Sequence, residues 1–163
     1  RSSRTSVAIL AGSETNEELR GLSNDIFLYF GLGCRNVTKI YVPKSYNFRK
    51  LKTYFKDYRS NLECENYYDN YNYNKAILTL NKTSFKDFNN LLLVESDKLQ
   101  PPLSVVFYEY YDKIEDLSFN TFDIQCIISS IYTKSKTISF GKAQNPQLFD
   151  YADNVDTISF LLS

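Results

Sequence analysis

Thr15-Asn16-Glu17-Glu18-Leu19-Arg20-Gly21-Leu22-Ser23-Asn24-Asp25-Ile26-Phe27-Leu28-Tyr29-Phe30 runs into Gly31-Leu32-Gly33-Cys34-Arg35-Asn36 and then into Val37-Thr38-Lys39-Ile40-Tyr41-Val42-Pro43. The first segment opens with the T-x-x-E pattern of a capping box. It carries Leu19, Leu22, Ile26, Tyr29 and Phe30 at helical spacing, which predicts a helix from Thr15 to Phe30. Gly31 and Gly33 end it. The β-branched third segment predicts a strand over Val37 to Val42, stopped by Pro43. Upstream, Thr5 to Leu10 is apolar enough for a buried strand, and Gly12-Ser13 breaks it. Strand, helix, glycine turn and strand in that order open an α/β fold.

The remaining chain continues the alternation. Phe48 to Tyr58 reads as a lysine-rich amphipathic helix, and Lys75 to Leu80 as a helix that follows a tyrosine- and asparagine-rich stretch, Asn66 to Asn74. Strands are expected at Leu91 to Val94, ending at Glu95, and at Leu103 to Tyr110 after the Pro101-Pro102 stop. Two more are expected at Ile124 to Ile131 and Thr137 to Phe140, and Asp153 to Leu162 fits a closing helix or strand equally. The expected class is therefore α/β, a three-layer αβα arrangement with a largely parallel or mixed sheet and helices on both faces. At 163 residues the chain is one domain, 1–163.

Composition excludes several functions. Nineteen basic residues balance nineteen acidic ones, so no net field draws nucleic acid or an anionic membrane. No apolar run is long enough to cross a bilayer and no secretory hydrophobic segment opens the chain, which reads as cytoplasmic. Histidine is absent, and with it any Ser-His-Asp triad, Cys-His pair or histidine-based metal site within this chain. Cys34, Cys64 and Cys126 are odd in number and widely spaced, with no CxxC pair, so neither a zinc knuckle nor a disulfide framework is indicated. The chain begins at Arg1 without methionine and enters an apolar strand almost at once, which reads as a fragment of a longer protein.

Cys34 is the leading candidate for chemistry. A free cysteine is most often a small buried hydrophobe. Here the flanking glycines, the position between helix and strand and the neighbouring Arg35 place a thiol in an accessible, electropositive turn. Without an imidazole base nearby, its chemistry favours a good leaving group, as in thioester exchange, over amide hydrolysis. Arg35 and Asn36 serve to orient Cys34 or to cap the turn, while Cys64 and Cys126 read as structural.

Arg4-Thr5-Ser6-Val7-Ala8-Ile9-Leu10 and Asp25-Ile26-Phe27-Leu28-Tyr29-Phe30-Gly31-Leu32-Gly33-Cys34-Arg35-Asn36-Val37 resemble the acyl-CoA reductase family, the LuxC-like branch of the aldehyde dehydrogenase superfamily. The resemblance continues through Asn70-Tyr71-Asn72-Tyr73-Asn74-Lys75-Ala76 and Phe140-Gly141-Lys142-Ala143-Gln144-Asn145-Pro146 to Asp150-Tyr151-Ala152-Asp153-Asn154-Val155-Asp156-Thr157. It implies an aldehyde dehydrogenase-like catalytic domain that lacks its N-terminal dinucleotide-binding domain. It implies acyl-CoA as substrate, NADPH or NADH as cofactor, a homo-oligomer as a family expectation, and Cys34 as the nucleophile that carries the acyl group. The backbone N–H of Cys34 would help hold the oxyanion.

The same resemblance suggests Glu95 for the nicotinamide ribose, although it stands six residues before Pro101-Pro102 and lacks the usual Phe-Gly. The superfamily's hydrolytic glutamate is not found at Arg1-Ser2-Ser3, which suits a reductase. Gln144 and the carboxylates from Asp150 to Asp156 match the family's C-terminal pattern and read as helix caps or partner contacts. Two alternatives stay open: an aldehyde dehydrogenase that oxidises aldehydes, and a non-catalytic interaction module on the same fold.

Overall fold

The computed structural model of the chain describes residues 4–120, 122–131, 136–151 and 155–162. Six strands form one sheet: β1 (Thr5–Ile9), β2 (Val37–Pro43), β3 (Phe85–Asp87), β4 (Leu92–Glu95), β5 (Val105–Tyr111) and β6 (Ile124–Ile128). Their order across the sheet is β3-β4-β5-β2-β1-β6. Every pairing is parallel except β3 with β4, so the sheet is mixed and mostly parallel. The long connections carry the helices α1 (Asn16–Phe27), α2 (Arg49–Phe55) and α3 (Glu65–Leu80), and α4 (Thr157–Leu162) lies near the end of the chain. No helix among the described residues is long and apolar enough to cross a membrane.

Alternation along the strands gives the sheet two apolar faces. On one, Leu19, Leu22 and Ile26 of α1 and Leu51 and Phe55 of α2 bury Ala8, Ile40, Leu93 and Val106. The other face is divided. Tyr71 and Leu78 of α3 cover Leu92, Val94 and Val105. Leu99, Ile114, Leu117 and Phe119, mostly from the β5–β6 connection, cover Val7, Ile9, Tyr41 and Ile127. At the seam, the buried Lys39 ammonium pairs with Glu109 and donates to the Asp97 carbonyl at 2.8 Å. That bond ties down the loop after β4, and a second does the same where Thr38 Oγ1 donates to the Leu99 carbonyl at 2.9 Å.

Helix α3 forms as one element across the tyrosine- and asparagine-rich stretch. Tyr67, Tyr71 and Asn74 fall on one stripe and are buried. Their polar tips are spent on neighbouring segments: Tyr67 donates to the Asn90 carbonyl (2.9 Å), Tyr71 to Asp87 (2.7 Å) and Asn74 to the Leu103 carbonyl (2.9 Å).

Three sequence expectations change, and one strand is added. The first helix has the expected capping box, in which Thr15 and Glu18 satisfy each other's backbone N–H groups. It ends at Phe27, however, because Tyr29, Phe30 and Gly31 take positive φ angles of 54°, 58° and 74°. The second helix stops at Phe55 and tightens into 3₁₀ turns over Lys56–Glu63. Thr137 to Phe140 is no full strand, since only Ile138 bridges to Ile128. The short antiparallel β3 is an addition at the sheet edge. Arg1, Ser2, Ser3, Asp153 and Asn154, on which parts of the sequence reading fall, lie outside the described residues.

Candidate active site

The segment from Leu28 to Asn36 leaves α1 and turns into β2 at the amino end of the parallel strands. A left-handed conformation costs a residue with a β-carbon roughly 1–2 kcal/mol, and Tyr29 and Phe30 adopt it in succession. Asn36 supplies the compensation. Its side chain is fully buried, and Nδ2 donates to the carbonyls of Asp25 (3.0 Å), Ile26 (3.2 Å) and Leu28 (2.9 Å). These are carbonyls that the end of a helix leaves without partners. Asn36 Oδ1 meanwhile accepts from Gly33 N at 2.9 Å, and the Asn36 N–H donates to the Gly33 carbonyl at 3.0 Å. One side chain thus closes both the helix end and the turn that holds Cys34.

Cys34 is exposed at the tip of this turn. Its carbonyl accepts from the buried Ser6 hydroxyl at 3.0 Å, which pins the turn to β1. Among the described residues nothing accepts its own N–H. Around it the surface is apolar: Tyr29 is 69% exposed and Leu32 71%, with Leu28 and Phe30 also uncovered. Beneath the turn lies a cavity of about 170 Å³ bounded by Phe30, Gly31, Leu32, Tyr67, Leu91 and Pro102. Leu32, two residues before Cys34, lines it, while Cys34 itself does not.

Arg35 points the other way. Its Nε donates to the Ala143 carbonyl, in a loop that crosses α1. The crossing is close because Gly21 faces it: a β-carbon there would come within 2.7 Å of Gly141 N. Asp25, fully buried, receives Gly141 N at 2.6 Å and Ala143 N at 3.1 Å. Burial pushes its carboxyl up to about 6, against the pull of those two N–H groups and of Arg35. Asp25 sits on the apolar stripe of α1, three residues after Leu22, and the helical spacing of Leu19, Leu22 and Ile26 does not point to it. A carboxylate at such a position is the signal that was available.

Glu95 lies elsewhere. It is exposed at the carboxyl end of β4, where it accepts from the Tyr108 hydroxyl at 3.3 Å. Glu95 pairs in register with Tyr108, and Tyr108 with Ile40. Cys34 is a further three residues beyond the start of β2, which itself stands about 10 Å along the strand from Ile40. The structure brings Pro101 and Pro102, but not Glu95, to the Cys34 turn. Of the C-terminal residues, Gln144 holds a buried Nε2 without a partner among the described residues, Asp150 accepts from Gln147 N at 3.0 Å, and Asp156 caps α4 through Ile158 N and Ser159 N.

A dinucleotide needs a cradle of free backbone N–H groups, typically where the first strand turns into its helix. Here the chain fills that position with its own carboxylates. Glu14 accepts from Ala11 N and Gly12 N, and Glu18 accepts from Thr15 N. The residues present do not fit a pyrophosphate at this turn. Comparison with protein-family models and with curated proteins gives no match for the chain.

Proposed function

We propose that this chain is the acyl-transfer lobe of an acyl-CoA reductase, with an aldehyde dehydrogenase-like catalytic fold and Cys34 as the acyl carrier. The observation that carries the reading is an exposed thiol on a clamped turn, with a backbone N–H at the same residue that has no partner among the described residues and a mostly apolar cavity under the neighbouring Phe30, Gly31 and Leu32. In the acyl-transfer step the Cys34 thiolate attacks the thioester carbonyl. The Cys34 N–H donates to the oxygen as it gains charge. The carbonyl re-forms, the bond to the coenzyme sulfur breaks, and CoA leaves as a thiol after taking up a proton. One thioester replaces another, so the step is nearly balanced and needs no histidine.

Reduction of the acyl group to an aldehyde calls for hydride from NADPH or NADH. In this reading a separate dinucleotide-binding domain of the same protein supplies that cofactor, and the acyl-transfer half needs no role for Glu95. Intact-mass spectrometry after mixing the protein with a medium-chain acyl-CoA tests the reading. The expected result is one acyl adduct that disappears in Cys34→Ala. An adduct that survives Cys34→Ala, or none on the wild type, overturns it.

A further inference from the structure

Ser6 joins two cysteines that are far apart in sequence. Its hydroxyl donates to the Cys34 carbonyl at 3.0 Å and accepts from Cys126 N at 3.1 Å. These links hold the Cys34 carbonyl oxygen and the Cys126 amide nitrogen on the same hydroxyl, so the two residues are spatial neighbours beside β1. Cys126 pairs with Ser6 in the parallel β1–β6 ladder and belongs to the core face covered by α1, the helix that feeds the Cys34 turn. The Cys126 thiol lies within electrostatic range of both Cys34 and the Arg35 guanidinium and beside the Ser6 hydroxyl. We propose that Cys34 and Cys126 are a redox pair, closing reversibly into a disulfide that takes the Cys34 thiol out of use.

The two members differ in access, which sets the order of events. Cys34 is exposed and meets an oxidant first, whereas Cys126 is only 8% exposed and burial pushes its thiol up, keeping it protonated. A peroxide is the oxidant. Cys34 sulfur attacks the peroxide O–O bond, becoming a sulfenic acid and releasing water (or an alcohol from an organic hydroperoxide). The Cys126 thiol then attacks the sulfenic sulfur, its proton leaves with the hydroxyl as a second water, and the S–S bond forms. Two thiols are oxidised by two electrons and one peroxide is reduced. A dithiol reductant reverses the change. Cys64, at the junction before α3, lies outside this pair and serves as the internal control.

The experiment treats the protein with a small excess of hydrogen peroxide and reads intact mass and a non-reducing peptide map. The expected product has lost about 2 Da, contains a cross-linked Cys34–Cys126 peptide pair, and returns to starting mass with dithiothreitol. Cys64→Ser behaves in the same way. Cys126→Ser and Cys126→Ala, checked for folding by circular dichroism, lose the cross-link and instead gain about 32 Da at Cys34 as the sulfinic acid. The wild-type map decides the question even if both Cys126 variants fail to fold. Wild type that gains about 32 Da without cross-linking, or pairs Cys34 with Cys64 or with a second copy, overturns the proposal. None of these readouts requires acyl transfer, so the pair stands or falls separately from the proposed function.

Discussion

Replacing Asp25 by asparagine tests how the loop beside the Cys34 turn is held. Asp25 feels two opposed effects: burial raises its carboxyl to about 6 from its ordinary 3.8, while Gly141 N, Ala143 N and Arg35 favour the charged form. Burial wins. The folded protein therefore binds this proton more tightly than the unfolded chain. Asp25's contribution to stability is fully present below about pH 3.8, and it is lost as pH rises through about 6. Between pH 7 and pH 4.5 the linkage relation gives the wild type about 2 kcal/mol that the amide variant cannot gain. Carboxylates pulled the other way, such as Asp87, titrate in both proteins and cancel in the difference. Urea unfolding at a series of pH values measures it, followed by circular dichroism because the chain has no tryptophan. The stability gap between wild type and Asp25→Asn should move in favour of the wild type as pH falls. A constant gap means that Asp25 titrates alike in both states. A gap moving against the wild type means that the backbone N–H groups outweigh burial. Either result refutes the reasoning.

Asn36→Ala strips four hydrogen bonds and leaves buried carbonyls at the end of α1 unpaired; at about 1 kcal/mol each, urea unfolding should show a loss of about 3–4 kcal/mol, and a loss under about 1 kcal/mol contradicts the clamp. Gly21→Ala places a β-carbon 2.7 Å from Gly141 N and Phe140 C, so the crossing loop must lift; limited proteolysis should cut near residues 140–143 faster than in wild type, and an unchanged rate refutes the close packing. Lys39→Met removes the cation paired with Glu109 and the bond to the Asp97 carbonyl. With Glu109 partly exposed, the cost should stay near 1–2 kcal/mol, while amide exchange in the 96–100 loop should rise clearly above wild type.

Much of the fold was legible because it follows from apolar spacing. Val7, Ile9, Ile40 and Val42 announce β1 and β2, and Thr15 with Glu18 announces α1. What escaped depends on contacts distant in sequence. No local pattern says that α1 stops at Phe27, since the carbonyls that end it are taken by Asn36 from beyond the turn. Helix α3 was only half visible, because tyrosine and asparagine count as polar although Tyr67, Tyr71 and Asn74 pack inward and spend their polar tips on neighbouring loops. At the candidate site, glycines and a cysteine in one short run pointed to the Cys34 turn. Glu95 resembles in placement a strand-end glutamate ahead of a proline, and it does end β4, but sequence spacing carries no information about how far that strand end lies from the Cys34 turn. Ser6 gave no signal at all: one hydroxyl in a strand acquires meaning only when β2 and β6 close on either side of it.

The Cys34 turn is rigid for a reason that bears on both proposals. Two successive left-handed residues with side chains cost about 2–4 kcal/mol together, so the turn does not persist through its own preference. The Asn36 hydrogen bonds offset that cost at about 1 kcal/mol each, and Ser6 adds a fifth tether. Because the same side chain closes the end of α1, moving Cys34 would require unwinding the helix that carries Asp25 and the 140–143 loop. A backbone fixed in this way holds the Cys34 N–H in one geometry, as the proposed oxyanion stabilisation demands. The thiol itself still turns about χ1 without disturbing that lattice. The proposed disulfide requires the rotamer that turns it toward Cys126. Ser6→Ala separates the two roles: it frees the carbonyl of Cys34 and the amide of Cys126 together, so cross-linking should slow, while the Asn36 clamp, left intact, should preserve acylation at Cys34. Equal loss of both activities would show that Ser6, and not Asn36, sets the position of the turn.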